Sequence, residues 1–416
     1  MKVSVIGAGY VGLVSSTCLA TLGHQVVLID VDEEKIAAIN AGKNLPIYEE
    51  GLEELLSQVQ VRTTSDYKEA ASADVFLICV GTSADDSGAI FSRHLITAAE
   101  QIAGVLNDRK NYYVVAVKST VSPGMTEEVV IPILEKGGKK AGQDFGVCMT
   151  PEFLTEGRGI NNFMNPDRII IGEYDTRSGD VIENLHQGLD APILRTDLST
   201  AEMIKLASNA FLATKISYIN EIGNICKQLG IDTYDVARGM GLDDRIGYKF
   251  LNAGIGFGGS CLPKDLKILI SGAEKAGYQP ELLQSVVILN ETQARKPVEL
   301  LKKHISLKGA TVGILGLAFK PGTDDIRDSR AIQIVRILRD EGAGIKAYDP
   351  LALDKFLELF PEVNPVSAQE AIDSDAVLIH TEWREFEKLD YRGRIAIDGR
   401  RIEKAREARI YEGVCW

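Results

Sequence analysis

The first strand-like run of the chain, Lys2–Ile6, leads directly into Gly7-Ala-Gly-Tyr-Val-Gly12, which opens a helical pattern. Gly7 would permit a tight turn, Gly9 would let the backbone approach a pyrophosphate, and Gly12 would allow close packing of helix on strand. The start of a helix also attracts phosphates. Asp30 ends the next strand-like run, where a carboxylate accepts hydrogen bonds from ribose hydroxyls and repels a 2′-phosphate. The pattern predicts a turn that binds NAD rather than NADP.

Short β-branched runs alternate with helical patterns on both sides of an all-helical stretch. In the first part they stand at 25–29, 75–80, 113–118, 145–149 and 168–171, with helical patterns such as 93–106 and 126–136 between them. In the last part they stand at 311–315, 344–348, 376–380 and 395–398. Such alternation is typical of parallel sheets. We predict an α/β protein in which two Rossmann-like, doubly wound parallel-sheet domains, 1–196 and 301–416, are joined by a helical domain, 197–300.

A long central helix is predicted at the start of the helical domain. Ser199-Thr-Ala-Glu202 has the spacing of a capping box, and no proline interrupts the apolar pattern before Gly230 supplies a stop. About 30 residues at 1.5 Å each make a helix of ~45 Å. Helices that are apolar on more than one face usually bury one of them in another domain or subunit. We therefore expect a homodimer formed through this helix, and a hinge at 302–312.

Charge and cysteine usage exclude several classes of protein. The net charge of −13 argues against broad binding to nucleic acid or an anionic membrane. The six cysteines are scattered, with no Cys-x-x-Cys pair, so we expect neither a disulfide framework nor a metal site. No signal-peptide pattern precedes the first strand, and no apolar run approaches the roughly 18 residues of a membrane span. We expect a cytoplasmic protein.

One cysteine stands in a different context from the others. Gly256-Phe-Gly-Gly-Ser-Cys261-Leu-Pro-Lys264-Asp265 places three glycines before the thiol, and Pro263 suits the first turn of a helix that would follow. A sulfur just before a helix N-terminus, with Lys264 beside it, has surroundings that stabilise a thiolate. Cys261 is therefore a candidate nucleophile. The remaining cysteines, apart from the uninformative Cys415, lie in apolar patterns and are expected in the core.

Other candidates are weaker when taken singly. Lys205 and Asn209 are four apart on the long helix and share a face, either as a solvated edge or as donors aimed at a developing oxyanion. Thr82, Thr120 and Glu152 each follow a predicted strand, at the sheet edge where ligands bind. A second glycine turn, Gly313-Ile-Leu-Gly316, lacks the third glycine of the first turn. Lys320 follows it, and its side chain either contacts a nucleotide or faces solvent.

Four segments occur in one order along the chain. They are the glycine turn, Pro151-Glu152-Phe-Leu-Thr-Glu156-Gly157, the helix with Lys205 and Asn209, and Gly258-Gly-Ser-Cys261-Leu-Pro-Lys-Asp265. In this order they resemble the UDP-glucose/GDP-mannose dehydrogenase family, and the resemblance covers essentially the whole chain. Three further segments look most like members that act on UDP-glucose: Pro46-Ile-Tyr-Glu-Glu-Gly-Leu-Glu-Glu-Leu-Leu56, Phe163-Met-Asn-Pro-Asp-Arg168 and Ser208-Asn-Ala-Phe-Leu-Ala-Thr-Lys-Ile-Ser217.

The resemblance implies a role for each matching position. Cys261 would be the nucleophile, and Lys205 and Asn209 would stabilise oxyanions. Asp265 would orient or activate water, and Glu152 and Thr120 would hold the hydrolytic water. The family's NAD contacts are matched by Val11, Asp30, Lys35, Thr82, Thr120, Glu156, Lys264 and Arg327. Its sugar-nucleotide contacts are matched by Glu152, Phe153, Leu154, Lys205, Asn209, Phe250, Leu251, Asn252, Gly254, Gly258 and Lys320, and Arg245 matches an arginine that such dimers offer across their interface.

The implied reaction oxidises the C6 alcohol of UDP-glucose to a carboxylate with two NAD, through a thiohemiacetal and a thioester on Cys261. The same chemistry on UDP-N-acetylhexosamine or GDP-mannose is the main alternative. A single-step hydroxyacid dehydrogenase would not need Cys261, and a non-catalytic nucleotide-binding protein should have lost it. The chain departs from the family's usual pattern at Ser83, at Met149-Thr150 and at Leu262.

Overall fold

The computed structural model describes residues 1–84, 90–106 and 109–416. These residues form two compact units. The first comprises Met1–Ser208 and Lys267–Ala276, and the second comprises Asn209–Leu266 and Gly277–Trp416.

The first unit is built on an eight-stranded sheet. Its strands, with a small two-stranded ribbon (β5 and β6), are β1 Lys2–Ile6, β2 Gln25–Ile29, β3 Val61–Thr64, β4 Val75–Ile78, β5 Ser83–Ala84, β6 Ile90–Phe91, β7 Val114–Val117, β8 Gly146–Met149, β9 Ile169–Glu173 and β10 Ile193–Thr196. Its helices are α1 Tyr10–Thr21, α2 Glu33–Ala41, α3 Leu52–Gln58, α4 Arg93–Leu106, α5 Ile131–Glu135, α6 Gly159–Met164 and α7 Thr176–Leu185. The sheet order is β10-β9-β8-β7-β4-β1-β2-β3, and apolar clusters pack on both faces.

The predicted Rossmann-like sheet is confirmed, with β9 and β10 running opposite to the other six strands. Every neighbouring pair described in the large sheet is parallel except β8 and β9, which pair antiparallel. A parallel partner needs a crossover that returns the chain to the opposite edge of the sheet. The connection from β8 to β9 contains only the six-residue helix α6, so β9 starts at the edge where β8 ends. The turn 150–157 is thereby kept at the carboxyl edge.

The long helix α8, Leu198–Leu229, spans 32 residues and is continuous from the first unit into the second. The predicted capping box is wrong. The helix begins one residue before Ser199, and Asp197 caps it by accepting a hydrogen bond from the backbone N–H of Thr200 at 2.8 Å. Glu202 instead accepts from the N–H groups of Gly124 at 2.5 Å and Thr126 at 2.9 Å, and so ties α8 to the segment that follows β7.

The second unit contains a helical part and a second sheet. The helices are α9 Thr233–Gly241, α10 Leu262–Lys275, α11 Glu281–Gln293, α12 Lys296–Lys302, α13 Arg330–Asp340, α14 Leu353–Leu359 and α15 Ala368–Ile372; only the start of α10 belongs to this unit. The strands are β11 Thr311–Leu315, β12 Gly344–Tyr348, β13 Asn364–Pro365, β14 Ala376–Ile379, β15 Ile395–Asp398 and β16 Ile410–Gly413. The sheet order is β13-β12-β11-β14-β15-β16, and all its described pairs are parallel.

Candidate active site

The glycine turn joins β1 to α1, and two of its glycines have no room for a side chain. Gly7 has φ +103°, and an added Cβ would lie 2.8 Å from the carbonyl oxygen of Cys79. A Cβ on Gly12 would lie 1.7 Å from the carbonyl oxygen of Gly7. At Gly9 no described atom lies within 4 Å of that position. Since α1 has no side-chain cap, its first N–H groups can receive a phosphate. The turn therefore fits a dinucleotide.

Asp30 lies beside this turn at the end of β2. Its carboxylate accepts hydrogen bonds from the backbone N–H groups of Ala8 at 2.6 Å and Asp32 at 3.0 Å, which fixes the side chain against the turn. Lys35 lies in the first turn of α2, with its Nζ 3.6 Å from the Asp32 carboxylate. The other predicted cofactor residues of this unit are half-buried or buried and follow β1, β4, β7 and β8: Val11, Thr82, Thr120 and Glu156. These strands are consecutive and parallel, so all four positions belong to one edge.

A buried ion pair lies at the same edge. Lys205 Nζ lies 2.8 Å from Glu152 Oε1, and both side chains are less than 10% exposed. Glu152 Oε2 accepts a hydrogen bond from the backbone N–H of Leu154 at 2.6 Å. The Phe153 ring lies under the pair, with its centroid 5.4 Å from Lys205 Nζ and 3.8 Å from Arg168 Cζ. The turn after β8 and the first turns of α8 are therefore held together by charge.

A second lysine shares this buried space. Burial opposes ionisation of Glu152, but the charge of Lys205 and the hydrogen bonds outweigh it, and the pKa of Glu152 is held below its usual value of 4.5. Lys118, which follows β7, is buried, and burial lowers the pKa of its ammonium; the charge of Lys205 adds to this, while Cys79 and Glu152 oppose it. Glu152 thus shares a buried environment with two lysines, Lys118 and Lys205.

In the second unit, Cys261 immediately precedes α10. Its carbonyl accepts from the N–H of Asp265 at 2.8 Å, so Cys261 holds the capping position and its thiol belongs to the helix N-terminus. It is half-buried, whereas the other five cysteines are buried. Asp265 is fully buried and accepts from Asn209 Nδ2 at 2.6 Å, and its second oxygen lies 2.8 Å from Lys264 Nζ. The thiol, a carboxylate, an amide and an ammonium therefore come from two short segments of sequence.

The spacing of Lys205 and Asn209 left two interpretations open, and the structure removes one. Both side chains are less than 10% exposed, and each contacts a buried carboxylate, so they are not a solvated edge of α8. An ammonium and an amide carry N–H groups of the kind that can stabilise negative charge on a substrate oxygen. Their catalytic role stays a prediction.

The remaining predicted substrate and cofactor residues are spread over the second unit. Leu251, Gly254 and Gly258 are buried, while Phe250 and Asn252 are exposed. Arg245 is exposed and paired with Asp243 at 2.6 Å. Lys320 Nζ lies 5.6 Å from the centroid of the Phe319 ring. Arg327 is paired with Asp325 at 2.7 Å.

The second glycine turn, after β11, differs from the first in what occupies it. Asp349 follows β12 as Asp30 follows β2, but its carboxylate accepts from the N–H groups of both Leu317, at 2.7 Å, and Ala318, at 3.1 Å. The indole N–H of Trp383 donates to the same oxygen at 3.1 Å. The next helix, α13, does not begin until Arg330. The Asp349 carboxylate therefore engages two backbone N–H groups of its turn, whereas Asp30 engages one in the first turn.

Sequence reasoning missed two buried charges near these sites. Lys118 directly follows a strand of buried residues, a position that could have drawn attention. Glu49 lies in a charged stretch that reads as solvent-exposed, yet it is buried, and its carboxylate accepts from the hydroxyl of Tyr10 at 2.5 Å. It also accepts from the N–H groups of Gly157 at 2.8 Å and Ile160 at 3.3 Å. Glu49 thus links the glycine turn to the segment after Glu152.

Three consecutive parts of the chain match domain models of one protein family. Residues 1–190 match the NAD binding domain of the UDP-glucose/GDP-mannose dehydrogenase family, 199–292 match its central domain and 313–405 match its UDP binding domain. The chain belongs to this family. Membership includes the NAD binding domain, which carries the glycine turn and Asp30, so the cofactor is NAD. Among the described residues, no helix is long and apolar enough to cross a membrane.

Individual relatives of this dehydrogenase family cover the whole chain. A UDP-glucose 6-dehydrogenase of Haloferax volcanii is 42% identical over 100% of both chains. A GDP-mannose 6-dehydrogenase of Pseudomonas putida is also 42% identical, over 84% of this chain and 81% of its own. The solved structure of a UDP-glucose dehydrogenase from Pyrobaculum islandicum superposes with a TM-score of 0.96 at 41% identity, covering 100% of this chain and 98% of its own.

The carboxylate of Asp30 offers a direct test of cofactor choice. In Asp30→Asn, the preference in kcat/KM for NAD over NADP should fall by about 100-fold, because a like charge beside a 2′-phosphate costs several kcal/mol. Asp32→Asn is the matched control, since this nearby carboxylate caps α2. Steady-state kinetics with both cofactors measure the ratio. An equal change in both variants would show that the effect comes from general charge and not from Asp30.

Proposed function

We propose that this NAD-dependent nucleotide-sugar dehydrogenase oxidises the C6 alcohol of UDP-glucose twice, to UDP-glucuronate, through a covalent intermediate on Cys261. The observation that carries the proposal is Cys261 itself, half-buried at the N-terminus of α10 and four residues before the buried Asp265. An enzyme that stopped at the aldehyde would need no nucleophile. A thiol at a helix start can hold the aldehyde until the second oxidation.

The chain's groups divide the work as follows in this proposal. NAD held by the glycine turn and Asp30 would supply the hydride acceptor, one molecule for each of the two oxidations. A base takes the hydroxyl proton as the aldehyde forms, and the Cys261 thiolate adds to the aldehyde carbon, leaving its oxygen negative. Lys205 and Asn209 stabilise that oxygen by hydrogen bonds. After a second hydride has left, a thioester remains.

Hydrolysis completes the proposed reaction and regenerates the thiol. Water, activated by Asp265 and held by Glu152 and Thr120, adds to the thioester carbon, and the carbon–sulfur bond breaks. The products are the sugar carboxylate and free Cys261. The buried ion pair of Glu152 and Lys205 keeps both groups in place without a large reorganisation. The division of the chain into 1–196, 197–300 and 301–416 assigns these steps to a cofactor, a central and a sugar-nucleotide domain.

The experiment that tests the function counts NADH per sugar. Purified enzyme is given a limiting amount of UDP-glucose, GDP-mannose or a UDP-N-acetylhexosamine, with excess NAD, and the NADH formed is measured by absorbance. Two NADH per UDP-glucose, with slow or no turnover of the others, is the expected result. Turnover of only another sugar nucleotide would keep the chemistry and overturn the substrate.

The alternative substrates stay in the test because one observation favours keeping them. A relative named for GDP-mannose is 42% identical over 84% of this chain and one named for UDP-glucose is 42% identical over all of it, so percentage identity alone does not distinguish the two substrates. A single NADH per sugar would instead favour a one-step hydroxyl dehydrogenase. No turnover of any of them with retained NAD binding would favour a nucleotide-binding protein.

The long helix supports the proposal of a homodimer. Large apolar side chains on α8 are exposed at Phe211, Tyr218, Ile225 and Leu229, at helical spacing along one stripe. Such a stripe is expected to be covered, and a second copy of α8 would cover it. Arg245, exposed in the same unit, is proposed to reach the partner's sugar nucleotide.

Phe211→Glu tests this dimer. A charge at the centre of an apolar interface typically costs 2 kcal/mol or more, so the dimer Kd should rise by about 30-fold or more. Phe211 is 64% exposed, so folding should be unaffected. Leu359→Glu, at an equally apolar and exposed position of α14, is the control. Light scattering after size-exclusion chromatography measures the mass, and a monomeric wild type or an unchanged Phe211→Glu dimer would refute the interface.

A further inference from the structure

Residues 253–259 of the second unit lead towards Cys261 without belonging to any helix or strand, yet all seven are buried. A buried backbone cannot use water to satisfy its N–H and C=O groups, so each needs a partner from the protein. In a sheet, a neighbouring strand would supply them. Here that task falls to side chains, and their identity decides how firmly the segment is held.

The Asn290 side chain, on α11, hydrogen-bonds to both backbone groups of one residue in this segment, Phe257. Its Oδ1 accepts from the backbone N–H of Phe257 at 2.8 Å, and its Nδ2 donates to the carbonyl oxygen of Phe257 at 3.0 Å. One buried amide thus makes both bonds that a neighbouring strand would make. The fit is close: Gly256 has φ +103°, and a Cβ there would lie 2.5 Å from the Asn290 oxygen.

Two further buried amides repeat the arrangement at Gly254. Asn220, on α8, accepts from its N–H at 2.7 Å, and Gln293, one turn after Asn290 on α11, donates to its carbonyl oxygen at 2.7 Å. A carboxylate could not donate these bonds, and a lysine could not accept them. An amide has a donor nitrogen and a separate acceptor oxygen, so it can do both at once, and two helices supply the amides here.

Segment 253–259 is held by a further backbone hydrogen bond just before Cys261. The N–H of Gly259 donates to the carbonyl oxygen of Arg327 at 2.8 Å. A Cβ on Gly258 would lie 2.3 Å from the carbonyl oxygen of Asp328, so backbone meets backbone here. With Phe257 held on one side and the start of α10 on the other, the chain has little freedom to place Cys261 elsewhere.

We propose that Asn290 is a positioning residue for the Cys261 thiol, which it places by fixing the backbone of Phe257. The proposal rests on the proposed function in taking Cys261 as the nucleophile. The hydrogen bonds of the Asn290 side chain go to the backbone of Phe257 and not to the thiol, so its effect passes through the segment. A nucleophile displaced by about 1 Å loses on the order of 100-fold in rate.

The experiment compares Asn290→Ala with Val286→Ala. Val286 is buried on the same helix, one turn earlier, so its truncation loosens α11 without removing a bond to the segment. The first measurement is the rate of Cys261 alkylation by iodoacetamide, followed by mass spectrometry without substrate. The second is kcat and KM for UDP-glucose and NAD, and the third is the thermal midpoint.

In Asn290→Ala, the alkylation rate should change by about threefold or more and kcat should fall by about 10- to 100-fold, with KM for NAD nearly unchanged. Val286→Ala should lose a similar amount of thermal stability and keep both rates. If Asn290→Ala does not fold, Asn290→Ser in the same assays takes its place. Equal rates in the Asn290 and Val286 variants would overturn the proposal. If the wild type fails to oxidise UDP-glucose, the function is wrong, and alkylation still decides the role of Asn290.

Discussion

Cys261→Ser is expected to lower steady-state NADH formation from UDP-glucose by about 10³-fold or more, as loss of a covalent nucleophile does. A serine hydroxyl at neutral pH is not ionised, so it does not capture the aldehyde, and at most one hydride per sugar should be transferred. Rapid-mixing experiments with enzyme in excess measure this yield. Cys226→Ser is the control, because it makes the same chemical change at a buried thiol of α8.

Either of two outcomes would contradict this reading of Cys261. Two NADH per UDP-glucose at the wild-type rate in Cys261→Ser would remove the covalent step. An equal loss of NADH formation in Cys261→Ser and Cys226→Ser would show that replacing any cysteine by serine disturbs the fold, and not that Cys261 is the nucleophile.

The buried pair of Glu152 and Lys205 gives the second large effect. Lys205→Met should destabilise the protein by about 3–5 kcal/mol, because it leaves the ionised Glu152 in a buried site without its nearest cation. The double variant Lys205→Met, Glu152→Gln should recover most of that loss, since both charges are gone. In both variants, NADH formation should be about 100-fold or more slower than in the wild type, because the proposed oxyanion donor is missing. Urea unfolding and NADH formation measure the two effects separately.

The free energy of unfolding at low pH tests the same ion pair of Glu152 and Lys205. The pKa of Glu152 is below its usual 4.5 in the folded chain, so the stability it contributes is present above that pH and is lost as the pH falls through the lower folded value. Below pH 4.5, the wild type should therefore lose stability more steeply than Glu152→Gln. A double variant no more stable than Lys205→Met would show that the pair does not act as a unit.

The sequence predicted the interiors of both sheets and missed their edges. The four unpredicted strands of the two sheets, β3, β10, β13 and β16, are the four edge strands. Central strands such as β4 and β7 are buried along their whole length and read as continuous apolar runs. Edge strands are covered on fewer sides: none of the four residues of β10 is buried, and β13 has only two residues, both exposed. Their pairing depends on the neighbouring strand, which no local pattern records.

The candidate site divides in the same way. The glycine turn, Asp30 and Cys261 were predicted because their chemistry depends on neighbours in sequence. The partners of Lys205 and Asn209 were not, since Glu152 lies 53 residues and Asp265 lies 56 residues away along the chain. Ser199 was taken as the cap of α8 because its spacing to Glu202 suits one. In the structure, Glu202 instead accepts hydrogen bonds from two backbone N–H groups that lie 76 and 78 residues earlier in the chain.

The carboxylate of Asp349 has a consequence for the order of events. It accepts hydrogen bonds from two backbone N–H groups of the second glycine turn, so we expect a dinucleotide at the first turn and not at the second. In the proposed double oxidation, two NAD molecules would then bind at the first turn one after the other, and the first NADH would leave before the second NAD binds. Throughout that exchange the half-oxidised sugar has to stay behind. The proposed covalent bond to Cys261 would keep the sugar in the site while one cofactor molecule is exchanged for the next.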